Sequence, residues 1–290
     1  MRTLITIVAL LLMVALSACN RGAQVAQPTE TATPATTEPA PEPTAAVTDS
    51  ATPTTEPTPL EVWFARDVPR GVFVEPEQHR PAAATAAVAR AALELLVSSQ
   101  PDDEGLTNLV PEGTAVLGVD LDGTTLTVDL DLPDQIGLGA AFEAAMYQQI
   151  VHTGAQFATV EKVRVLDEGE PPQSGHLDLS EPMEPDEFAV SPIVIAEPAE
   201  GEEVSTGEVT VSGTANVFEA NVVLRLLDPD GDVAEETFTT ATCGTGCRGD
   251  WEHTFTIQEP GRWTIAAVEP DMSDGEGAGP FVTRRHVTVR

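Results

Sequence analysis

The chain has 290 residues, enough for about two domains, and it carries 47 acidic against 14 basic side chains, a formal charge of −33. The acidic excess is spread along the chain and no basic cluster could follow a phosphate backbone, which argues against nucleic-acid binding and against electrostatic attraction to anionic lipid. Self-repulsion of this size predicts a fold that salt stabilises, as in a protein working in a saline medium.

Arg2 is followed by an uncharged, mostly apolar stretch over 4–16 and then by Leu16-Ser-Ala-Cys19. That stretch is shorter than the ~20 residues needed to span a bilayer. A basic start, a short apolar core and small residues before a cut site make a secretory signal. The Leu-Ser-Ala-Cys ending resembles the bacterial lipobox. This resemblance implies a signal peptide over 1–18, lipidation of Cys19 with acyl chains of the palmitate type, and a mature protein held on the extracytoplasmic face of the cell membrane. An ordinary signal cut near Ala18 is the competing reading. Residues 19–59 are dominated by Thr, Pro, Ala and Glu. They lack the apolar side chains that would offset ordering, so they read as a disordered, extended spacer.

From residue 60 the character changes. Glu61-Val-Trp-Phe-Ala65 reads as a strand. Pro81 opens an alanine-rich stretch to about Ser98, with Val88, Ala92, Leu95 and Leu96 on one helical face. The arms 114–121 and 124–132 meet at Asp122-Gly123, a hairpin signal. Leu126, Val128, Leu130 and Leu132 face one way; Thr127, Asp129 and Asp131 face the other. In a second helix over 138–153, Leu138, Phe142, Met146 and Ile150 recur every fourth residue, with Gly154 as carboxyl-terminal cap. A strand over 161–166 follows. Strand, helix, hairpin, helix and strand imply an α+β sandwich over 60–181, two helices on a mostly antiparallel sheet.

The acidic, proline-broken segment 181–187 marks a boundary. Beyond it, 190–195, 204–211, 221–227, 235–240, 251–257, 263–268 and 285–289 read as short strands separated by turns such as Asp228-Pro-Asp-Gly231. Seven strands at this spacing predict an all-β, immunoglobulin-like sandwich over 190–290.

Candidate chemistry is sparse. With Cys19 assigned to lipid, Cys243 and Cys247 remain; an oxidising exterior permits a disulfide across Cys243-Gly-Thr-Gly-Cys247, favoured over free thiols or a metal. Histidines at 79, 152, 176, 253 and 286 show no metal-ligand pair on one helix, so no metal or cofactor is expected. His152, in the last turn of its helix, reads as a cation favoured by the helix dipole. Ser174-Gly-His176 is two residues of a triad and lacks a third, and no nucleophile elbow is present, so no catalytic residue is assigned. Asp228, Asp230 and Asp232 alternate without completing a calcium loop, and Asp120, Asp122, Asp129 and Asp131 read as a solvated hairpin face. Trp251 and Trp263 are expected in the core, and Phe218 is expected to pack, with Glu219 satisfying backbone donors at the same bend.

Gly105-Leu-Thr-Asn-Leu-Val-Pro111, Gly113-Thr114, the Asp122-Gly-Thr-Thr-Leu-Thr-Val-Asp129 hairpin, Gln149-Ile-Val-His-Thr153 and Val160-Glu-Lys-Val-Arg-Val165 give the first domain a pattern that resembles the GerMN domain. The family's Leu-Leu-x-Gly-Pro after the first helix is replaced by Leu95-Leu-Val-Ser-Ser-Gln-Pro101. Ile195-Ala-Glu-Pro198, Val209-Thr-Val-Ser-Gly-Thr-Ala215, Val217-Phe-Glu-Ala220 and Asp271-Met-Ser-Asp-Gly275 make the second domain similar to the immunoglobulin-like domain of bacterial spore germination. The tandem resemblance implies a non-enzymatic envelope lipoprotein that binds or scaffolds, with an envelope protein or cell-wall glycan as partner. The alternative is a solute-binding lipoprotein with an apolar ligand cleft between the domains.

Overall fold

The computed structural model describes residues 57–81, 83, 87–133, 137–270 and 276–290. The signal segment, Cys19, the spacer up to residue 56, part of the stretch after Pro81 and the 271–275 motif lie outside these residues.

The first module opens with a hairpin of β1 (Leu60–Val68) and β2 (Gly71–His79), paired from Leu60 opposite His79 to Val68 opposite Gly71. The sequence reading found β1 and missed β2, because Glu75, Pro76 and Glu77 break the apolar alternation. Proline is tolerated on an edge, where no ladder donor is needed; among the described residues, β2 makes beyond β1 a single bridge, Val74 to Val190. Helix α1 (Val88–Ser98) buries Ala91, Ala92, Leu93 and Leu96. This corrects the expected face, since Val88 is exposed.

Strands β3 (Ala115–Asp122) and β4 (Thr125–Asp131) form the expected hairpin, with Gly123 at φ +60° where a side chain would be strained. Leu126, Val128, Leu130 and Leu132 are buried, as the alternation requires. Strand β5 (Lys162–Asp167) lies parallel to β4 and buries Val163 and Val165. Between β4 and β5 comes α2 (Ala140–Ala155). Both helices touch β1 as well as the second sheet, α1 through β3 and α2 through β5.

Helix α2 is buried without a break from Ala145 to Gly154. Its polar side chains must therefore find partners. Gln149 Nε2 donates to the Trp63 carbonyl at 2.9 Å and its Oε1 accepts from Leu109 N–H at 3.0 Å. Thr153 Oγ1 accepts from Trp63 N–H at 3.1 Å, and Gln148 Oε1 accepts from Asp186 N–H at 3.1 Å. Gly154 is not the cap the sequence suggested. It lies inside the helix, where a Cβ would stand 3.1 Å from Leu126 Cδ2 and 3.3 Å from Val163 Cγ2; the missing side chain lets helix and sheet approach.

The second module contains β6 (Ile193–Glu197), β7 (Glu202–Val204), β8 (Gly207–Ala215), a 3-10 turn at Phe218–Ala220, β9 (Asn221–Leu227), β10 (Val233–Thr240), β11 (Gly249–Ile257), β12 (Gly261–Glu269) and β13 (Phe281–Val289). A five-stranded sheet in the order β10-β9-β12-β13-β7 faces a three-stranded sheet β11-β8-β6. The run read as one strand over 204–211 divides between β7 and β8 around Ser205-Thr206, with Gly207 at φ +123°. Trp251 and Trp263 are buried in the core between the sheets, with Ile195, Val211, Leu224, Phe255 and Val287. Phe218, expected to pack, is exposed.

The β1–β2 hairpin also serves the second module. Val68 and Phe73 pack against the sandwich core, and Phe73 meets Phe281 edge-on at 5.9 Å. Val74 exchanges backbone bonds with Ala189 and Ser191, at 2.8 and 3.1 Å, and Arg70 pairs with Glu269. Arg248 donates to the Ser191 carbonyl at 2.9 Å and to Glu187 at 3.2 Å, tying down the connecting segment. All described residues fall within one compact unit. Among them, no helix is long and apolar enough to cross a membrane.

Candidate functional site

The hairpin leaves a cleft where the modules meet. Glu61 of β1, Glu77 of β2 and Asp102 from the loop after α1 line one side; Glu197 at the end of β6, Glu200 from the β6–β7 connection and Arg285 of β13 line the other. Its volume is about 80 Å³, well below the roughly 300–1,000 Å³ of small-molecule sites. Its lining includes five carboxylates and one guanidinium.

Glu77 is the ordered centre of this wall. Its Oε2 accepts from Asp102 N–H and its Oε1 from Asp103 N–H, both at 2.8 Å. His79, two residues along the same strand and so on the same face, brings Nε2 to 3.3 Å from Glu77 Oε2. Burial pushes the Glu77 carboxyl up, but the bonds from His79, Asp102 and Asp103 outweigh it and hold the group below the usual range. The Glu61 carboxyl is raised, chiefly by burial. Arg285 is turned to the Ile195 carbonyl at 2.6 Å. Ligand atoms of Glu77, His79 and Asp102 all lie within 4.8 Å of one another. Sequence reasoning missed this cluster because it sought two histidines on a helix, whereas a strand supplies two ligands and a loop 25 residues away in the chain supplies the third.

A second hollow of about 350 Å³ opens beside α2, lined by Leu132, Leu138, Glu143, Asp167 and His176. Here Ser174 and His176 acquire an acidic neighbour. His176 Nδ1 lies 2.6 Å from Glu143 Oε2, and this bond, foremost, holds the Glu143 carboxyl below its ordinary value, with Ser174 contributing. A hydrolytic triad needs histidine between acid and hydroxyl; here Glu143 bonds to His176, and Ser174 Oγ accepts from the backbone N–H groups of His176 and Leu177. Nearby, burial with the Glu143 and Asp167 charges pushes the Tyr147 phenol up to about 12. The arrangement orders the 174–177 loop.

The remaining sequence candidates resolve into structural roles. His152 stacks on Trp63 with ring centroids 4.4 Å apart, and its Nε2 lies 3.3 Å from the Asp186 carbonyl. Burial pulls its pKa down more strongly than that carbonyl and nearby acids raise it, so the expected helix-end cation is corrected to a neutral ring. Asp228 Oδ1 accepts from the backbone of Asp230 and Asp232, which makes that segment a side-chain-braced turn. At the Phe218–Ala220 bend it is Thr245 Oγ1 that accepts from Glu219 N–H, at 3.0 Å.

Cys243 and Cys247 are joined in a disulfide. The ring is held against the neighbouring bend: Thr245 N–H donates to the Val217 carbonyl and Gly246 N–H to Asn216 Oδ1, each at 2.9 Å. Arg248 follows directly, so the loop sets the base of the guanidinium that grips the inter-module segment. The Gly105–Pro111 run is also structural. Asn108 Nδ2 caps the end of α1 through the Leu96 and Ser99 carbonyls, and Thr107 exchanges two backbone bonds with Ala65.

Residues 61–173 match the family model described as sporulation and spore germination, Germane. Residues 192–276 match the model described as the immunoglobulin-like domain of bacterial spore germination. Among solved structures the chain is similar to the tandem GerMN domains of the sporulation protein GerM from Bacillus subtilis, at 17% identity and TM-score 0.37 over 48% of this chain and 49% of that one. It thus spans about half the length of that structure. The first GerMN domain of the same protein aligns at 23% identity and TM-score 0.32, over 39% of this chain and 84% of that one. A Clostridium perfringens protein assigned as a lipoprotein aligns at 17% identity and TM-score 0.32, over 46% and 91%. No curated protein matches the chain. The chain carries a GerMN domain at residues 61–173 followed by an immunoglobulin-like domain of the bacterial spore-germination type at residues 192–276.

Proposed function

We propose that this chain is a non-enzymatic binding or scaffold protein of the bacterial cell envelope, anchored through lipid on Cys19 and held off the membrane by residues 19–59. Its partner is another envelope protein or cell-wall glycan. The observation that carries this reading is the surface of β10. It is an edge strand of the five-stranded sheet, and it presents Val233 and Phe238 at 54% and 67% exposure. An edge strand has backbone donors and acceptors free for an incoming chain, and exposed large apolar side chains beside it add contact area. The other prominent edge, β3, is blunted: a bulge at Val116/Gly118 interrupts it, and Arg90 donates to the Val116 and Leu117 carbonyls at 3.2 and 3.1 Å.

Two measurements test the reading. Cys19→Ser is expected to abolish palmitate labelling and move the protein from membrane to soluble fractions; unchanged membrane retention would sink the anchor. A photo-crosslinker at Phe238 is expected to trap a discrete envelope component that one at buried Leu224 does not. Identical products at the two positions would remove β10 as the binding surface. The small, acidic inter-module cleft gives no support to solute capture.

A further inference from the structure

We infer that Glu77, His79 and Asp102 form a binding site for one divalent transition-metal ion of the zinc class at the mouth of the inter-module cleft. The donor set is one imidazole nitrogen and two carboxylate oxygens, which suits zinc and its neighbours; calcium and magnesium prefer oxygen alone. Geometry agrees with chemistry. Zinc bonds to nitrogen and oxygen of roughly 2.0–2.2 Å place two tetrahedral ligands roughly 3.3–3.6 Å apart. The His79 Nε2 to Glu77 Oε2 separation is 3.3 Å, which is longer than the ~2.7–2.9 Å of a charged nitrogen bonded to a carboxylate.

The ligands are also held in place. Two backbone N–H groups fix the Glu77 carboxylate, and the His79 ring meets Phe64 edge-on at 5.4 Å, the kind of outer support that orients metal ligands. The ligand atom of Asp102 lies within 4.8 Å of the other two, and its side chain is exposed, so closing on an ion requires a turn of that side chain. The field favours a cation: Glu61, Glu197 and Glu200 stand in the same cleft, against Arg285, which is engaged with Ile195 and lies 3.9 Å from Glu200. Two ligand carboxylates neutralise the ion. A fourth position facing solvent is left for water. Because β2 and the loop after α1 each contribute, the metal cross-links them beside the second module.

The test uses the full-length chain in detergent, stripped with EDTA and titrated with zinc sulfate by calorimetry, with thermal melting in parallel. One zinc per chain and a rise in Tm are expected, and cobalt in its place should give the visible absorption of a tetrahedral site. His79→Ala and, at the exposed position, Asp102→Asn should each weaken zinc binding at least tenfold. His286→Ala, which removes a histidine paired to Glu200, should leave it unchanged. Absence of heat and of a melting shift in the parent chain would overturn the site. So would equal affinity in parent and His79→Ala, or full competition by calcium, since either result means diffuse attraction to an acidic surface.

Discussion

Arg66 is buried at 7% exposure between two carboxylates: its Nε reaches Glu75 Oε1 at 2.5 Å and one terminal nitrogen reaches Glu75 Oε2 at 2.9 Å and Asp103 Oδ2 at 2.7 Å. Burial alone would pull its pKa down, but the two carboxylates outweigh burial and raise it. Gly105 completes the nest, since a Cβ there would fall 2.5 Å from the guanidinium. Arg66→Met should therefore cost about 3–5 kcal/mol in chemical denaturation, because it strands two buried acids; a loss below about 1 kcal/mol would show the network to be dispensable. His152 sets a second expectation. Its folded-state pKa is depressed below the ordinary histidine value of about 6.5, so its contribution is complete above that pH and is lost as the pH falls from there through the folded value. Tm should hold steady from pH 8 to about 6.5 and then decline, and His152→Phe should remove that decline while keeping the stack on Trp63.

Elements were legible in the sequence where one rule governed them. The 115–131 hairpin announced itself through Asp-Gly and strict alternation, and the second module through short strands and turns. Helix α2 was found by period, but its uniform burial was not, because Gln148, Gln149, His152 and Thr153 look solvent-bound until their partners on β1 and the connecting segment are known. Strand β2 was hidden by acids that serve Arg66 and the cleft. For the same reason the Glu77–His79–Asp102 cluster could not be read in advance: its spacing exists only after β2 forms. Glycines carry a similar lesson. In Ser212-Gly-Thr214, a Cβ on Gly213 would stand 1.9 Å from the Val194 carbonyl oxygen and 3.0 Å from Trp251. Gly213→Ala should separate β8 from β6 and lower stability by about 3 kcal/mol or more, on the scale of severe overpacking. A neutral result in melting experiments would mean the two strands can part without loss.

For the whole molecule, the hairpin that serves both cores predicts coupled unfolding. Calorimetry should show a single transition for the two modules, and Phe73→Ala, which removes the contact to Phe281, should split it in two. Two resolved transitions in the parent chain would show the interface to be too weak to couple them. The charge of −33 acts at the same scale. Raising NaCl from about 0.05 to 1 M shortens the screening length from over 10 Å to about 3 Å, so Tm should climb with salt, and a flat or falling trend would mean local pairing already balances the repulsion.

The last strand shows where inheritance and folding part company. The family match ends at residue 276, yet β13 runs from Phe281 to Val289 and lies between β12 and β7, giving the sandwich Phe281, Val287 and Val289. A fragment trimmed to the recognisable homology would thus lose an inner stave of its larger sheet, and with it Arg285 and His286. Gene fusions or expression clones that respect the family limits would yield an open, sticky sheet; the heritable cassette is shorter than the object that has to stand up.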